Sequence, residues 1–465
     1  MTLQQAIQTY HDLLEAGDVA AESQGQLDSQ QQRRGLSFGE RPLCSVLRPR
    51  FLTLAQYRFI QQRTRILLAA FAKIHQAAIA DKAFRAQFDL TDWEEELIQH
   101  DPGFRPASPT SRLDAFFVPA SPLPLGEGTG VRANHEGDLH FTEYNAETPA
   151  APAYNDALTE LFYTLPVMSQ FLRRCQLLPL PARHGVMHAL LESYRQWAGR
   201  NEAPRIAIVD WREVPTYSEF VLFDSYFKAQ GLDCIIADPR EMEYRHGKLM
   251  AGDYHITLIY KRVLIAELVE REGLAHPIIR AVRDGAVCMV NPFACKLLYK
   301  KASLAVLSDE RNAHLFTAAE QQAIADHIPW TRRVEERQTE YGGQKVDLIP
   351  FIHQQQERLV LKPNDDYGGR GIVLGWTVDA TEWEQAVQAA LGTPYIVQER
   401  VAIPSEAYPS LIDGQLHIFD RMLDTAPFVF HGDSVYGCLT RLSTATLLNV
   451  TAGGGSTVPT FLVVG

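Results

Sequence analysis

His140-Phe-Thr-Glu143-Tyr-Asn145-Ala-Glu147-Thr148-Pro149 is the stretch on which the reading of this chain turns. It ends an apolar/polar strand, and Arg112-Leu-Asp114-Ala-Phe-Phe117 lies on a second strand just before it. Side chains two residues apart on a strand project to one face. Glu143 and Asn145 therefore point together, as do Arg112 and Asp114. A carboxylate from each strand and the Asn145 amide can then converge on one hard cation, which prefers oxygen ligands. Far downstream is Leu359-Val-Leu-Lys362-Pro-Asn-Asp-Asp-Tyr-Gly368-Gly369-Arg370-Gly371. Here a lysine ends an apolar strand and a glycine loop follows. The lysine offers a point charge to a phosphate. The glycines let backbone N–H groups turn closely onto oxygens. Alone, Glu-x-Asn suits any amphipathic strand and Gly-Gly-x-Gly any hairpin tip. A metal site together with a phosphate loop is what a nucleotide-using enzyme needs.

Composition narrows the class. The 465 residues are 46% hydrophobic and 22% charged, which is globular and enough for two or three packed layers or domains. A net charge of -12 opposes a nucleic-acid footprint, which would be a basic face. Cys44, Cys175, Cys234, Cys288, Cys295 and Cys438 form no Cys-x-x-Cys pair and read as buried thiols of a reducing compartment. The N-terminus lacks a basic start with an apolar core, and no stretch is apolar enough to span a bilayer. The expectation is a cytoplasmic protein with no membrane partner.

Along the chain, residues 1–20 predict a short amphipathic helix, and Ala21 to Gly35, rich in Gln, Ser and Arg, a solvated linker. Helical spacing marks Tyr57 to Ile79, Ala153 to Arg173 and Arg183 to Ala198. The Pro/Gly-rich run from Ser121 to Ala133 interrupts the hairpin between Asp114 and Glu143 and predicts a disordered surface loop. Strands at 205–210, 233–238, 255–261 and 286–291, with a helix at 218–230, predict a mostly parallel α/β sheet. His184 and His188 share a helix face without a third ligand and read as ordinary histidines. There is no Gly-x-Ser-x-Gly elbow and no Walker A lysine-serine, which disfavours a P-loop enzyme.

Three more stretches complete the set: Tyr299-Lys300-Lys301-Ala-Ser-Leu, Tyr395-Ile-Val-Gln398-Glu399-Arg-Val401, and Gly437-Cys-Leu-Thr-Arg441 continuing through Asn449 to Gly453-Gly454-Gly455. Together these motifs resemble the ATP-grasp superfamily. In its usual order the Asp and Glu-x-Asn come last. Here they come first, as in the circularly permuted glutathionylspermidine synthase and eukaryotic glutathione synthetase.

The resemblance implies a fold, a chemistry and a set of roles. The fold class is α/β and α+β: a circularly permuted ATP-grasp core with a small parallel α/β pre-ATP-grasp domain. The implied division is an N-terminal helix and linker at 1–50, a helical region with the metal strands at 51–200 (insertion about 119–136), the substrate domain at 201–295 and the ATP-binding halves at 296–465. Asp114, Glu143 and Asn145 would bind Mg²⁺. Arg112 would hold the transferred phosphate. Lys362, Gly368, Gly369 and Gly371 would cradle ATP phosphates, with Lys301 preferred over Lys300 as the second lysine. Gln398, Glu399 and Val401 would meet adenine, and Glu406 the ribose. Arg441 and Asn449 would stabilise an acyl-phosphate and its tetrahedral adduct. Glu147 and Thr148 could face substrate. The implied activity is ATP-dependent ligation of a small-molecule carboxylate to an amine, and a homodimer is expected by analogy. The alternatives are a non-catalytic nucleotide-binding scaffold and a phosphotransferase on the same fold. The chain lacks the amidase half of glutathionylspermidine synthase and does not match its phosphate-loop wording, so that enzyme's substrate is not carried over.

Overall fold

Thr110–Pro119 and Gly137–Asn145 pair antiparallel, with Arg112 opposite Asn145 and Asp114 opposite Glu143. A bulge follows at once, because Ala115 faces Phe141 and Thr142 is left over. The computed structural model describes residues 1–120, 136–366, 368–444 and 455–464. The insertion from Ser121 to Ala133, Tyr367 and Asn449 lie outside the described residues.

The other edge of Thr110–Pro119 pairs with Ala426–Phe430, where Phe428 faces Arg112. From there the sheet continues through Ser434–Ser443 and Gln415–Leu423 to Ser405–Ile412. A hairpin from early in the chain thus completes a sheet built from its C-terminal strands. Helix Leu54–Ala80 covers this sheet. It starts at Thr53, whose side chain and that of Gln56 form a capping box. Its Ile60, Leu67, Phe71 and Ile74 join Leu113, Phe117, Phe141 and Tyr144 in one core.

A second sheet is fully parallel, in the order Cys288–Val290, Leu258–Lys261, Arg205–Val209, Asp233–Ala237. The winding direction reverses between Leu258–Lys261 and Arg205–Val209. In such sheets ligands bind in the crevice beyond the carboxyl ends at the reversal. Asp210 and Arg262 follow those two strands directly. A third sheet runs Thr331–Arg333, Tyr395–Glu399, Leu359–Pro363, Val373–Leu374. Helices Leu348–Gln354 and Ala380–Gly392 pack on it around Trp383, Leu361 and Val397.

Three sequence expectations need correction. The Ala21–Gly35 linker is helix Val19–Arg34. Ser23, Leu27 and Gln31 recur every four residues on its buried face, and the Gln31 amide donates to the Cys44 carbonyl and accepts from the Cys44 N–H. The polar composition concealed this narrow stripe. The helix over Ala153–Arg173 is two helices, Pro152–Phe162 and Pro166–Phe171, because Pro166 has no N–H to continue the first. The strand at 255–261 also divides. Tyr254–Ile256 pairs in a separate antiparallel sheet, and the Thr257 hydroxyl accepts the Arg205 N–H where the chain crosses to Leu258–Lys261. Among the described residues no helix is long and apolar enough to cross a membrane, and all six cysteines are free and buried.

Lysines and carboxylates lock the sheets together. Glu147 is fully buried and accepts from Lys261 Nζ (2.9 Å) and the Ile265 N–H (2.7 Å), with Lys296 Nζ 3.6 Å away. Lys296 and Lys300 reach Asp365 at 2.7 and 3.0 Å, and Lys300 also holds Glu94 at 3.0 Å. Glu147 therefore faces lysines and not a substrate. Burial opposes its charge, but Lys261 and Lys296 hold its carboxyl below the ordinary range. A glutamate of lowered pKa adds stability above its unfolded pKa and loses it as pH falls through the folded one. Glu147→Gln removes that charge and leaves Lys261 and Lys296 under-compensated. The expected cost at pH 7 is about 3–5 kcal/mol, shrinking toward low pH, as read by urea unfolding at pH 7 and pH 4.

Candidate functional site

The hairpin register places a carboxylate beside two guanidiniums. Arg112 donates to Asp114 through Nε (2.6 Å) and Nη2 (3.1 Å), and Arg441 Nη2 reaches the same carboxylate at 2.7 Å. Arg112 Nη1 donates to the Ala150 carbonyl. Arg441 also binds Asp424, Nε to Oδ2 at 2.6 Å and backbone N–H to Oδ1 at 2.7 Å. Burial disfavours charge on Asp114, but the two arginines hold it well below the usual carboxylate range. Asp424 shares only Arg441, so burial and the nearby Asp114 charge leave it raised.

Across the hairpin, Glu143 pairs with Lys301 at 3.1 Å. Lys301 also donates to the Asp366 carbonyl at 2.5 Å, while Lys300 points away into the Glu94–Asp365 pairs. Of the two adjacent lysines, Lys301 is the one brought to the hairpin. Lys362 donates to Gln398 Oε1 (2.7 Å) and to the carbonyl of the bulged Thr142 (3.3 Å). It meets no carboxylate within ion-pair distance among the described residues. Burial pushes its ammonium down to about 8, with Lys301 adding to the fall and Glu143 opposing it. Gln398 donates in turn to Thr331 Oγ1 (3.0 Å), so its amide is a spacer that aims the lysine.

These groups border two joined cavities. A cleft of about 180 Å³ is lined by Asp114, Glu143, Lys362, Gly368, Gly369, Gln398, Glu399, Val401 and Arg441. Its apolar walls are Val360, Ile372, Leu374, Trp376 and Ile403, with the Arg400 guanidinium 4.1 Å from the Trp376 ring centroid. Gly368 and Gly369 both have positive φ (69° and 77°), which a side chain would strain. A chamber of about 300 Å³ shares Asp114, Glu143, Gly368 and Arg441 with the cleft. It extends past Arg112, Asn145 and Thr148 to Asp210 and Arg262 at the reversal point of the parallel sheet.

Of the predicted residues, Arg112 and Asn145 line only the chamber, and Lys301, Gly371 and Glu406 line neither cavity. Gly371 packs its backbone against Pro363, which a Cβ there would meet at 2.7 Å. Glu406 turns to the buried Arg48 (3.0 Å) and Arg50 (3.5 Å) and lines neither cavity. Asn449 lies outside the described residues. Asp424 and Trp376 were missed. Trp376 ends the apolar run after the glycine loop and could have been noticed, whereas Asp424 has no motif around it.

Among the described residues no group of three His, Cys, Asp or Glu could hold a metal by itself. Asp114 and Glu143 face each other across the strands, and Asn145, two residues on from Glu143, lines the chamber with them. This donor set fits a magnesium ion that arrives with phosphate oxygens, since that ion commonly takes only one or two protein carboxylates. It is too small for a resident all-protein cage.

No family model matches the chain, and no curated protein matches it. Among solved structures, a glutathione synthetase-like effector (GSS30) from Globodera pallida, in apo form, superposes with TM-score 0.59. That match covers 95% of this chain and 96% of that one at 10% identity. D-alanyl-alanine synthetase A from Vibrio cholerae O1 biovar eltor str. N16961 matches at TM-score 0.25 and 10% identity, over 50% of this chain and 87% of that one, too distant a superposition to bear on the fold. The fold thus resembles that of this glutathione synthetase-like effector.

The depressed pKa of Lys362 makes a stability prediction. Between about 8 and the unfolded lysine value the folded state binds fewer protons, so stability gains from this site as pH rises. Below 8 the enclosed ammonium is a net cost. Lys362→Met is expected to raise Tm by roughly 2 °C at pH 7 and to flatten the gain between pH 8 and 10, checked by calorimetry across that range.

Proposed function

We propose that this protein is an ATP-dependent ligase that joins a small-molecule carboxylate to an amine through an acyl-phosphate, on a circularly permuted ATP-grasp core. The observation that carries this reading is the junction of the two cavities. The cleft and the chamber meet at Asp114, Glu143, Gly368 and Arg441. Phosphate transfer between two substrates needs such a meeting point. The permuted order is supported by the pairing of an early hairpin into the C-terminal sheet, with Arg112 facing Phe428. The parallel sheet at 205–290 is then the pre-ATP-grasp substrate domain.

The residues divide the work as follows. The apolar walls of the cleft suit a purine face, and the Glu399–Val401 segment its edge. Among the described residues Lys362 offers a buried charge without a carboxylate partner, so phosphate oxygens would supply what it lacks. Lys301 and the Gly368–Gly369 backbone take further phosphate oxygens. Asp114, Glu143 and Asn145 would hold magnesium, which would supply neutralisation of the terminal phosphates. Arg112 is committed to Asp114 and Ala150, so it positions the carboxylate. Arg441 lines both cavities and stabilises charge as the carboxylate becomes an acyl-phosphate and the amine attacks. No covalent enzyme intermediate is required. Catalysis is positioning plus preorganised charge.

The test is release of ADP and phosphate with pooled carboxylates and amines. Release that requires both pools is expected, with a fall of about 10²-fold or more in Lys362→Ala. A stable phosphorylated product in place of free phosphate would indicate a phosphotransferase. Tight Mg-ATP binding without turnover from any pool would indicate the scaffold.

A further inference from the structure

We propose that Asp210 is a catalytic residue of the chamber, the group that takes the proton from the attacking nitrogen; this assignment rests on the ligase reading above.

Three observations single it out. Asp210 directly follows strand Arg205–Val209, at the reversal point of the parallel sheet, and lines the chamber that opens on the phosphate site. It is 8% exposed, and among the described residues its carboxylate accepts one hydrogen bond, from the Trp211 N–H to Oδ1 at 2.8 Å. Among the described residues it makes no ion pair within 4.0 Å. The other chamber carboxylates are engaged: Asp114 with Arg112 and Arg441, Glu143 with Lys301, and Glu267 with the Trp211 indole N–H at 3.2 Å.

The charged groups facing Asp210 are Arg262 and Lys261 from the adjacent strand and Glu267 from helix Ile265–Glu272. Both cations are held elsewhere, Arg262 by Glu219 (3.3 Å) and Tyr260 (3.0 Å) and Lys261 by Glu147 (2.9 Å). Burial pushes the Asp210 carboxyl up to about 7, against Arg262 and Lys261 and with help from Glu267. Its basic form therefore grows as pH rises through about 7, which matches a proton acceptor at neutral pH.

The chemistry balances without a further reactant. An alkylamine enters as an ammonium ion and gives one proton to the Asp210 carboxylate. The freed lone pair attacks the acyl-phosphate carbon and forms the C–N bond. The adduct loses its second N–H proton to solvent, and the C–O bond to phosphate breaks to give amide and inorganic phosphate.

The experiment compares wild type with Asp210→Asn, using a panel of amino acids and dipeptides as carboxylates. Hydroxylamine, largely uncharged at neutral pH, and a pool of primary alkylamines serve as nucleophiles. For Asp210→Asn, carboxylate-dependent ADP formation and hydroxamate yield are expected within about twofold of wild type. Amide formation from alkylamines is expected to fall about 10²-fold or more at pH 7 and to recover as pH rises toward the amine's own pKa. In wild type, amide kcat/KM should rise through about pH 7. Equal loss of hydroxamate and amide would make Asp210 structural and overturn the assignment, as would unchanged amide formation. If wild type forms neither ADP nor hydroxamate with any carboxylate, the ligase reading falls and this assignment falls with it.

Discussion

Balanced burial of opposite charge between sheets is the constraint on which the rest of this structure depends. Glu147, Glu94 and Asp365 meet Lys261, Lys296 and Lys300 where the hairpin, the parallel sheet, the early helices and the glycine loop converge. Charge taken out of water is costly unless it is paired, and each partner here satisfies more than one neighbour. No element of the group can move without leaving another ion alone. The Asn291 amide adds to the lock, donating to the Thr110, Ala146 and Glu147 carbonyls and so fixing both ends of the hairpin against the parallel sheet.

With the frame held this way, charge in the cleft can be left unbalanced. Asp114 stays ionised against burial because two guanidiniums flank it, whereas among the described residues Lys362 meets only amide and carbonyl oxygens. The contrast is electrostatic preorganisation. In the proposed reaction, cationic groups are fixed before the phosphate arrives, and the cost is borne by contacts outside the cleft. The bulge contributes directly, since it turns the Thr142 carbonyl toward Lys362 while leaving Asp114 and Glu143 opposed.

In the proposed ligase the two cavities divide recognition from transfer. The cleft lies between the third sheet and the hairpin, and the chamber between the hairpin and the crevice of the parallel sheet. Among the described residues, only the hairpin and Arg441, with Gly368, belong to both. A fold that brings strands from distant parts of the chain into one sheet can place such a shared edge, which a locally folded unit could not.

The sequence by itself determined the local pieces. Alternation on 110–117 and 139–145 put Asp114, Glu143 and Asn145 on their strands, and the glycines after Lys362 marked a turn with positive φ. The four strands of the parallel sheet were legible from β-branched runs, because local pattern tracks burial. Helix Val19–Arg34 was not, since three buried side chains among many glutamines leave little periodic signal. The placement of Glu406 was decided by tertiary structure alone: nothing near it in sequence announces that Arg48 and Arg50, far upstream, would claim its carboxylate. The same holds for Asp424 beside Arg441 and for Asp210 at the chamber end. Their environments are made by residues from other elements of the fold, and a side chain's charge state depends on those neighbours in space. Residue type and spacing carry backbone geometry, but only packing sets which charges meet, and here that sets the candidate chemistry.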